Sequence, residues 1–218
     1  PILLVSPVQV FLRLVVLVQE PLYWKSIGFS TIRILVGLFL GIMGALGCSI
    51  LSYSIKWFRI LLSPLVSVIK STPVASIVVV VLIYVSSRNL SIIISFLLVF
   101  PVVYSNLLQG FDSTPKELLE MAKIYRLSPK AKALAIFIPH LKPFFISACS
   151  TAMGFAWKSG IAAEVIGIPR GSIGERLYDA KIYFSTADIF AWTVTIIVLS
   201  SIFDKIFKVI TKKVGGKL

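Results

Sequence analysis

Three ionisable side chains stand inside otherwise apolar runs: Lys70, Lys158 and Glu164. An ionisable group at bilayer depth costs at least about 2.5 kcal/mol, so it marks either a solute path or a buried pair between helices. On the first alternative, two lysines favour an anionic solute. Lys158 and Glu164 cannot satisfy each other, because six helical residues separate them by about 9 Å along the axis and roughly 120° around it. Pro73, just after Lys70, removes a backbone donor and should kink the helix there. Trp157 stands directly before Lys158. Catalytic chemistry finds little to use. His140 is the only histidine, and beside Pro139 it reads as a loop residue at the membrane edge. Cys48 and Cys149 lie in apolar runs without a CxxC, so they read as small buried side chains and not as metal ligands or a disulfide. The chain has no HExxH, no GxSxG and no phosphate-cradling GxxxxGK[ST]. Metal and cofactor sites are not expected, and any ATP-driven step would need another subunit to hydrolyse the nucleotide.

The longest polar interruption runs from Thr114 to Pro143, with Lys116, Lys123, Arg126, Lys130, Lys132 and Lys142 set against Glu117 and Glu120. Its start has the form of a helix entry, with Thr114 as N-cap, Pro115 at the first helical position and Glu117 three residues after the cap. Leu118, Ala122 and Tyr125 then fall at i, i+4 and i+7, on one face. Arg126-Leu127 interrupts the helix, and Ser128-Pro129 opens a second one by the same device. A short amphipathic helix in a basic loop either lies on lipid headgroups or docks on a partner.

These residues carry a resemblance. The permease subunits of binding-protein-dependent ABC importers have a cytoplasmic loop of the form E-A-A-x3-G-x9-I-x-L-P. Here Glu120-Met121-Ala122, Arg126, Ile136, Ile138 and Pro139 stand at those positions. Met121 replaces an alanine, Ile138 a leucine and Arg126 the glycine. A glycine there would suit a left-handed turn, and a non-glycine residue in that conformation costs roughly 1–2 kcal/mol. The turn is therefore different or strained, and Arg126 could instead reach an acidic group on a partner. The run Trp157–Glu164 resembles the A-W-x3-V-A-A-E segment of the family, and Lys70–Pro73 its R-P-x-P-P segment. Leu4-Val5-Ser6-Pro7 resembles the L-P-S-P segment that follows a first span in permeases of the nitrate, sulfonate and taurine type, which implies one span upstream. The resemblance implies that Glu117, Leu118, Glu120, Met121, Ala122, Tyr125, Arg126 and Pro139 couple the chain to a separate ATPase. It implies a second permease copy, an external substrate-binding protein and a bacterial inner-membrane location. Lys70, Pro73, Trp157, Lys158 and Glu164 are then candidates for the translocation path.

Composition agrees. The 218 residues are 57% hydrophobic and only 14% charged, with a mean hydropathy of +0.96, which excludes an ordinary soluble domain. Several runs reach the roughly 20 residues that span a bilayer, and only helices satisfy their backbone there without barrel-like alternation. The formal charge of +13 is concentrated in loops and tail, as the positive-inside rule requires, and is not a nucleic-acid signature. Residues 2–19 are apolar but broken by Pro7, Gln9 and Arg13, so an interfacial or partly inserted helix is favoured over a span. Spans are expected over 27–51, 60–85 with a kink at Pro73, 90–111 with a kink at Pro101, 143–167 and 189–203, the last extended past Asp204. In the first of these Gly37, Gly41, Gly44 and Gly47 make one small-residue stripe for close helix packing within the chain. Lys56 and Arg59 mark a cytoplasmic turn. The polar loop 168–188, whose charges cancel, falls outside, and the lysine-rich tail falls inside.

The expected architecture is an all-α polytopic membrane protein of the type I ABC importer permease fold. About five spans are visible, after an N-terminal interfacial or spanning segment over 1–26. The permease domain covers 27–218, with the coupling loop at 112–142. No internal repeat is visible, which weighs against an inverted-repeat secondary carrier. The competing class is a small channel or carrier without an ATPase, its basic loop lying on anionic lipid. An intramembrane enzyme has no candidate dyad beyond Lys158 and Glu164.

Overall fold

The computed structural model describes residues 5–215, with side chains described as far as 209. Leu4 of the N-terminal motif and Lys217 of the tail lie outside the described residues, as do the side chains of Lys212 and Lys213. The elements are α1 (Pro7–Gln19), α2 (Pro21–Ser54), α3 (Lys56–Ser71), α4 (Val74–Tyr84), α5 (Ser87–Asp112), α6 (Lys116–Ile124), α7 (Pro129–Lys132), a π-helical turn (Ala133–Phe137), α8 (Ile138–Gly167), α9 (Ile173–Ile182) and α10 (Thr186–Gly215). No strand occurs among the described residues. Four helical stretches are long and apolar enough to cross a membrane: Pro21–Ser54, Ser87–Asp112, Pro129–Gly167 and Thr186–Val209. The α3–α4 pair makes up to five.

Three helices build the centre. α2 packs along α5, and α5 along α8. The close approach comes from glycines. A Cβ on Gly37 would stand 2.4 Å from the Ile92 carbonyl oxygen, and one on Gly41 2.7 Å from Val99 Cγ1. From the other side Gly160 of α8 leaves room for Ile34 and Ser95. Ser95 Oγ donates to the Ala156 carbonyl across that crossing (3.2 Å). The stripe read from the sequence therefore serves packing within the chain, along its first two glycines.

Three expectations are corrected and one is sharpened. The 60–85 stretch is two helices, α3 and α4, bent by 111° at the break before Pro73, a broken span or a re-entrant pair and more than a kink. Thr72 is extended (φ −81°, ψ 132°) as a residue before proline prefers, and Pro73 lacks the amide that would continue the ladder. The 168–188 loop contains α9. Ser172 caps it, its Oγ accepting from the Glu175 amide (2.9 Å), while Glu175 Oε2 accepts from the Gly171 amide (2.6 Å). His140 is helical, in the first turn of α8. And the Thr114 cap, treated below, is not formed. α10 does extend past Asp204 as expected.

α1 has a full capping box between Ser6 and Gln9. Its 13 residues reach only about 20 Å, short of the roughly 30 Å hydrocarbon core. It lies along α10, with Leu17 buried and the Arg13 guanidinium paired to Asp188. The partner that an intramembrane-side arginine needs is thus on the last span.

Candidate functional site

The polar interruption forms a helix–turn–helix whose ends are tied to the bundle. Thr114 is buried, and its hydroxyl donates back to the Gly110 carbonyl (3.4 Å) at the end of α5. That bond uses the group the cap needed, so α6 begins one residue later with Pro115 as N-cap and no side-chain cap. Glu117 stays in the first turn, where its charge complements the positive end of the helix dipole.

The apolar side chains of α6 divide in a way the i, i+4, i+7 pattern does not anticipate. Ala122 is buried toward the chain, but Leu118 (37%), Met121 (42%), Ile124 (78%) and Tyr125 (74%) are exposed. No other helix packs broadly against α6 among the described residues. Leu118, Met121 and Tyr125, at i, i+3 and i+7, make an outward apolar strip, beside the exposed Glu120.

The turn after α6 answers the question raised by Arg126. Its φ is +49°, in the left-handed region. The Arg126 amide donates to the Lys123 carbonyl (3.1 Å) and the Leu127 amide to the Ala122 carbonyl (2.9 Å). Those two bonds define a Schellman ending, with Arg126 at the position glycine usually holds. The conformation is the one a glycine would take, with the strain of a Cβ added. Arg126→Gly should therefore stabilise the loop. Relief of about 1–2 kcal/mol exceeds the roughly 0.5–1 kcal/mol of chain entropy that glycine adds. The gain is measured as slower amide exchange at Leu127 and a higher unfolding midpoint in detergent.

After the turn, Ser128 caps α7 as expected, its Oγ accepting from the Ala131 amide (3.2 Å). The chain then widens into the π turn before Pro139, where the Ile138 amide reaches back five residues to the Ala133 carbonyl. Pro139 has no amide and its ring crowds the carbonyl four residues earlier, so a widened turn relieves the clash. The same chain delivers Phe137 onto Tyr53 (5.4 Å) and Phe111 (5.5 Å), which themselves stack at 4.8 Å. This aromatic trio joins the ends of α2 and α5 to the start of α8. Beside it, Arg59 at the start of α3 makes a bidentate pair with Asp112 at the end of α5 (2.9 and 2.8 Å). Ser113 Oγ lies 3.3 Å from His140 Nε2. A Cβ on Gly110 would stand 2.8 Å from Leu141 and 2.9 Å from Phe144. A displacement of α6 therefore meets a tightly packed base and not a loose loop.

The intramembrane candidates separate into two kinds. Lys70 and Lys158 are exposed on the surface of the chain. Lys70 Nζ donates to Ser105 Oγ (3.3 Å), beside the 111° break at Pro73. Trp157 and Glu164 are core residues, which takes them off any path along this chain's surface. Trp157 packs on Phe203 (5.3 Å). Glu164, fully buried, accepts from Ser30 Oγ (2.6 Å) and from the Gly174 amide (3.4 Å), while Ser30 Oγ accepts from the Ile173 amide (2.9 Å). Ser30 and Glu164 thus satisfy the first two amides of α9, which have no partner within their own helix. Gly174 permits the approach, since a Cβ there would sit 2.3 Å from the Glu164 backbone. The residues that sequence reasoning missed are Ser30 and the Ser172–Glu175 cap. The second was legible as S-x-x-E, whereas a serine inside an apolar run gives no signal.

Among the described residues no group of three or more His, Cys, Asp or Glu side chains could hold a metal.

Similarity to known proteins agrees with this geometry. Residues 33–216 match the model of the family described as binding-protein-dependent transport system inner membrane component. A probable ABC transporter permease protein of Brucella melitensis is 26% identical over 211 residues, covering 95% of this chain and 84% of that protein. The putative aliphatic sulfonates transport permease protein SsuC of Bacillus subtilis is 22% identical, covering 95% and 75%. The nitrate import permease protein NrtB of Synechococcus elongatus is 26% identical over a shorter stretch, covering 55% and 43%. The crystal structure of an amino acid ABC transporter with histidines superposes with a TM-score of 0.69 at 15% identity, over 91% of this chain and 94% of that one, which establishes the type I permease fold. Four to five apolar spans, a helical hairpin carrying the loop motif, and a family match over most of the chain lead to one assignment: this is a multi-pass inner-membrane protein belonging to the binding-protein-dependent transport system inner membrane components, the permeases of ABC transporters.

Proposed function

We propose that this chain is the solute-conducting subunit of an ATP-driven importer and that a separate ATPase docks on α6. The observation that carries the reading is the outward strip of Leu118, Met121, Ile124 and Tyr125 on a nine-residue helix that its own chain leaves uncovered. Apolar side chains in that position suit a cleft on a partner, with Glu120 at the rim. ATP and Mg²⁺ belong to the partner. Two copies of the chain, most simply identical, would enclose the path, and a binding protein outside would deliver solute. The loop and the tail then face the cytosol.

Mechanically, closure of two ATPases on ATP would draw the two α6 helices together. The Tyr53–Phe111–Phe137 trio and the Gly110 contact would pass that displacement to α5 and α8, rocking the path between inward- and outward-open arrangements. The chain contributes a bistable passage and no bond chemistry. The relatives named for sulfonate and nitrate transport support a small oxyanion as solute, with vitamin precursors as the other class.

The test is affinity purification of the tagged chain from its own membranes in mild detergent. A nucleotide-binding subunit should co-elute in equal amount, and its ATPase rate should rise with loaded binding protein. A chain that elutes alone, with α6 protected by anionic lipid, would establish the lipid-lying carrier or channel instead.

A further inference from the structure

We propose that the groove between α3 and α5 is an oxyanion subsite of the translocation path, centred on Lys70. The inference rests on the reading of the chain as a solute path, and adds where the solute is held and by what. On α3, Arg59, Ser63, Ser67 and Lys70 fall within one narrow face, at i, i+4, i+8 and i+11. The opposite face carries Trp57, Leu61, Leu65 and Val68, all exposed and apolar. α3 is thus a helix with a lipid-type side and a polar side, and the polar side chains Arg59, Ser63, Ser67 and Lys70 stay exposed along an open groove. The groove is walled on its other side by Tyr104 and Ser105 of α5 and holds about 210 Å³.

The charge balance of that groove selects the ligand. Arg59 is neutralised by both oxygens of Asp112. Tyr104 donates its hydroxyl to Ser52 Oγ (2.8 Å). Ser105 donates its own to the Pro101 carbonyl (2.7 Å), so toward Lys70 it can only accept. Lys70 has no carboxylate within 4 Å among the described residues. One ammonium with two spare protons and two serine hydroxyls, Ser63 and Ser67, therefore line the space with one positive charge unbalanced. That is a donor set for an oxyanion, and it repels cations. A lysine, unlike an arginine fork, sets no planar geometry, so trigonal and tetrahedral anions both fit. The volume admits a small anion with a short tail.

The test is protection of Lys70 from acetylation by an N-hydroxysuccinimide ester, read site by site by mass spectrometry. The full chain is held in zwitterionic nanodiscs, with methanesulfonate as probe and chloride at equal ionic strength as control. Labelling of Lys70 should slow about threefold when methanesulfonate reaches twice its dissociation constant, while Lys116 on α6 keeps its rate. Ser63→Ala/Ser67→Ala should reduce that protection and leave the chloride-control rate as it was. Equal labelling with and without methanesulfonate overturns the subsite. So does protection that appears only when phosphatidylglycerol is added to the nanodisc, which would assign the groove to a lipid headgroup. Absence of protection with an ATPase still co-eluting refutes the subsite alone. Protection without a co-eluting ATPase refutes the coupled importer alone.

Discussion

Leu118→Arg should leave the chain folded and inserted but abolish coupled uptake. The side chain is on the outward strip of α6, touching no other helix broadly, so its replacement removes little from the chain's own packing. What it changes is the surface offered to a partner. Driving a guanidinium into an apolar cleft costs about 2 kcal/mol or more, the scale of an interface hot spot, and weakens docking roughly thirtyfold. The same-face neighbours three and four residues on, Met121 and Ala122, carry no carboxylate, so the new charge gains no i,i+3 or i,i+4 partner on α6. Three measurements fix the interpretation: membrane abundance and unfolding midpoint unchanged, the nucleotide-binding subunit lost on purification, and uptake in vesicles at background. Glu120→Arg, which reverses the charge at the rim of the same strip, should act in the same direction. Uptake retained by both variants would show that force does not enter through α6, and would remove the coupling assignment.

What could be read in advance, and what could not, follows from how local each signal is. The spans declared themselves because a run of about 20 apolar residues has few other uses. Ser128-Pro129 opened a helix as expected because a cap and a first-turn proline act within four residues. Thr114 had the same form and failed, because its hydroxyl had a competing acceptor, the Gly110 carbonyl, in the helix before it. The one-face pattern of Leu118, Ala122 and Tyr125 was true as periodicity, yet only Ala122 turned inward. Periodicity names a face without saying what covers it. The break at Pro73 was visible but its 111° angle was not, since proline removes a bond and packing then sets the direction. Glu164 was flagged as needing a partner other than Lys158. Finding Ser30 and the start of α9, 134 residues upstream and ten residues downstream, needed the tertiary fold. Arg126 is the clearest case. A departure from the glycine position raised two alternatives, a different turn or a strained one. The positive φ with both Schellman bonds intact settles it as the strained one.

The glycine stripe of α2 gives the second large effect, because its four members are alike in sequence and unlike in surroundings. A Cβ at Gly37 would lie 2.4 Å from the Ile92 carbonyl oxygen and 2.8 Å from Ser95 Cβ. The first is backbone and the second sits between α2 and α8, so neither can rotate away. Gly41 meets Val99 at 2.7 and 2.9 Å. Gly44 faces only the rings of Phe96 and Phe100, at ordinary contact distance, and Gly47 faces nothing within 4 Å. Gly37→Leu must therefore push α2 off α5. Overpacking of a core commonly costs about 1–3 kcal/mol, and a rigid backbone neighbour puts this site at the upper end. Gly47→Ala should go the other way, gaining roughly 0.5–1 kcal/mol from reduced freedom in the unfolded chain. Thermal unfolding of the two variants in one detergent, with the parent chain alongside, reads both signs together. Because the α2–α5 seam runs down to the Tyr53–Phe111 stack at the loop end, Gly37→Leu should also lower uptake in proportion to its destabilisation. Gly47→Ala should leave transport as it was. Equal losses at the two positions would mean that the stripe serves a contact with another chain along its whole length, and the packing account of α2 would have to be abandoned.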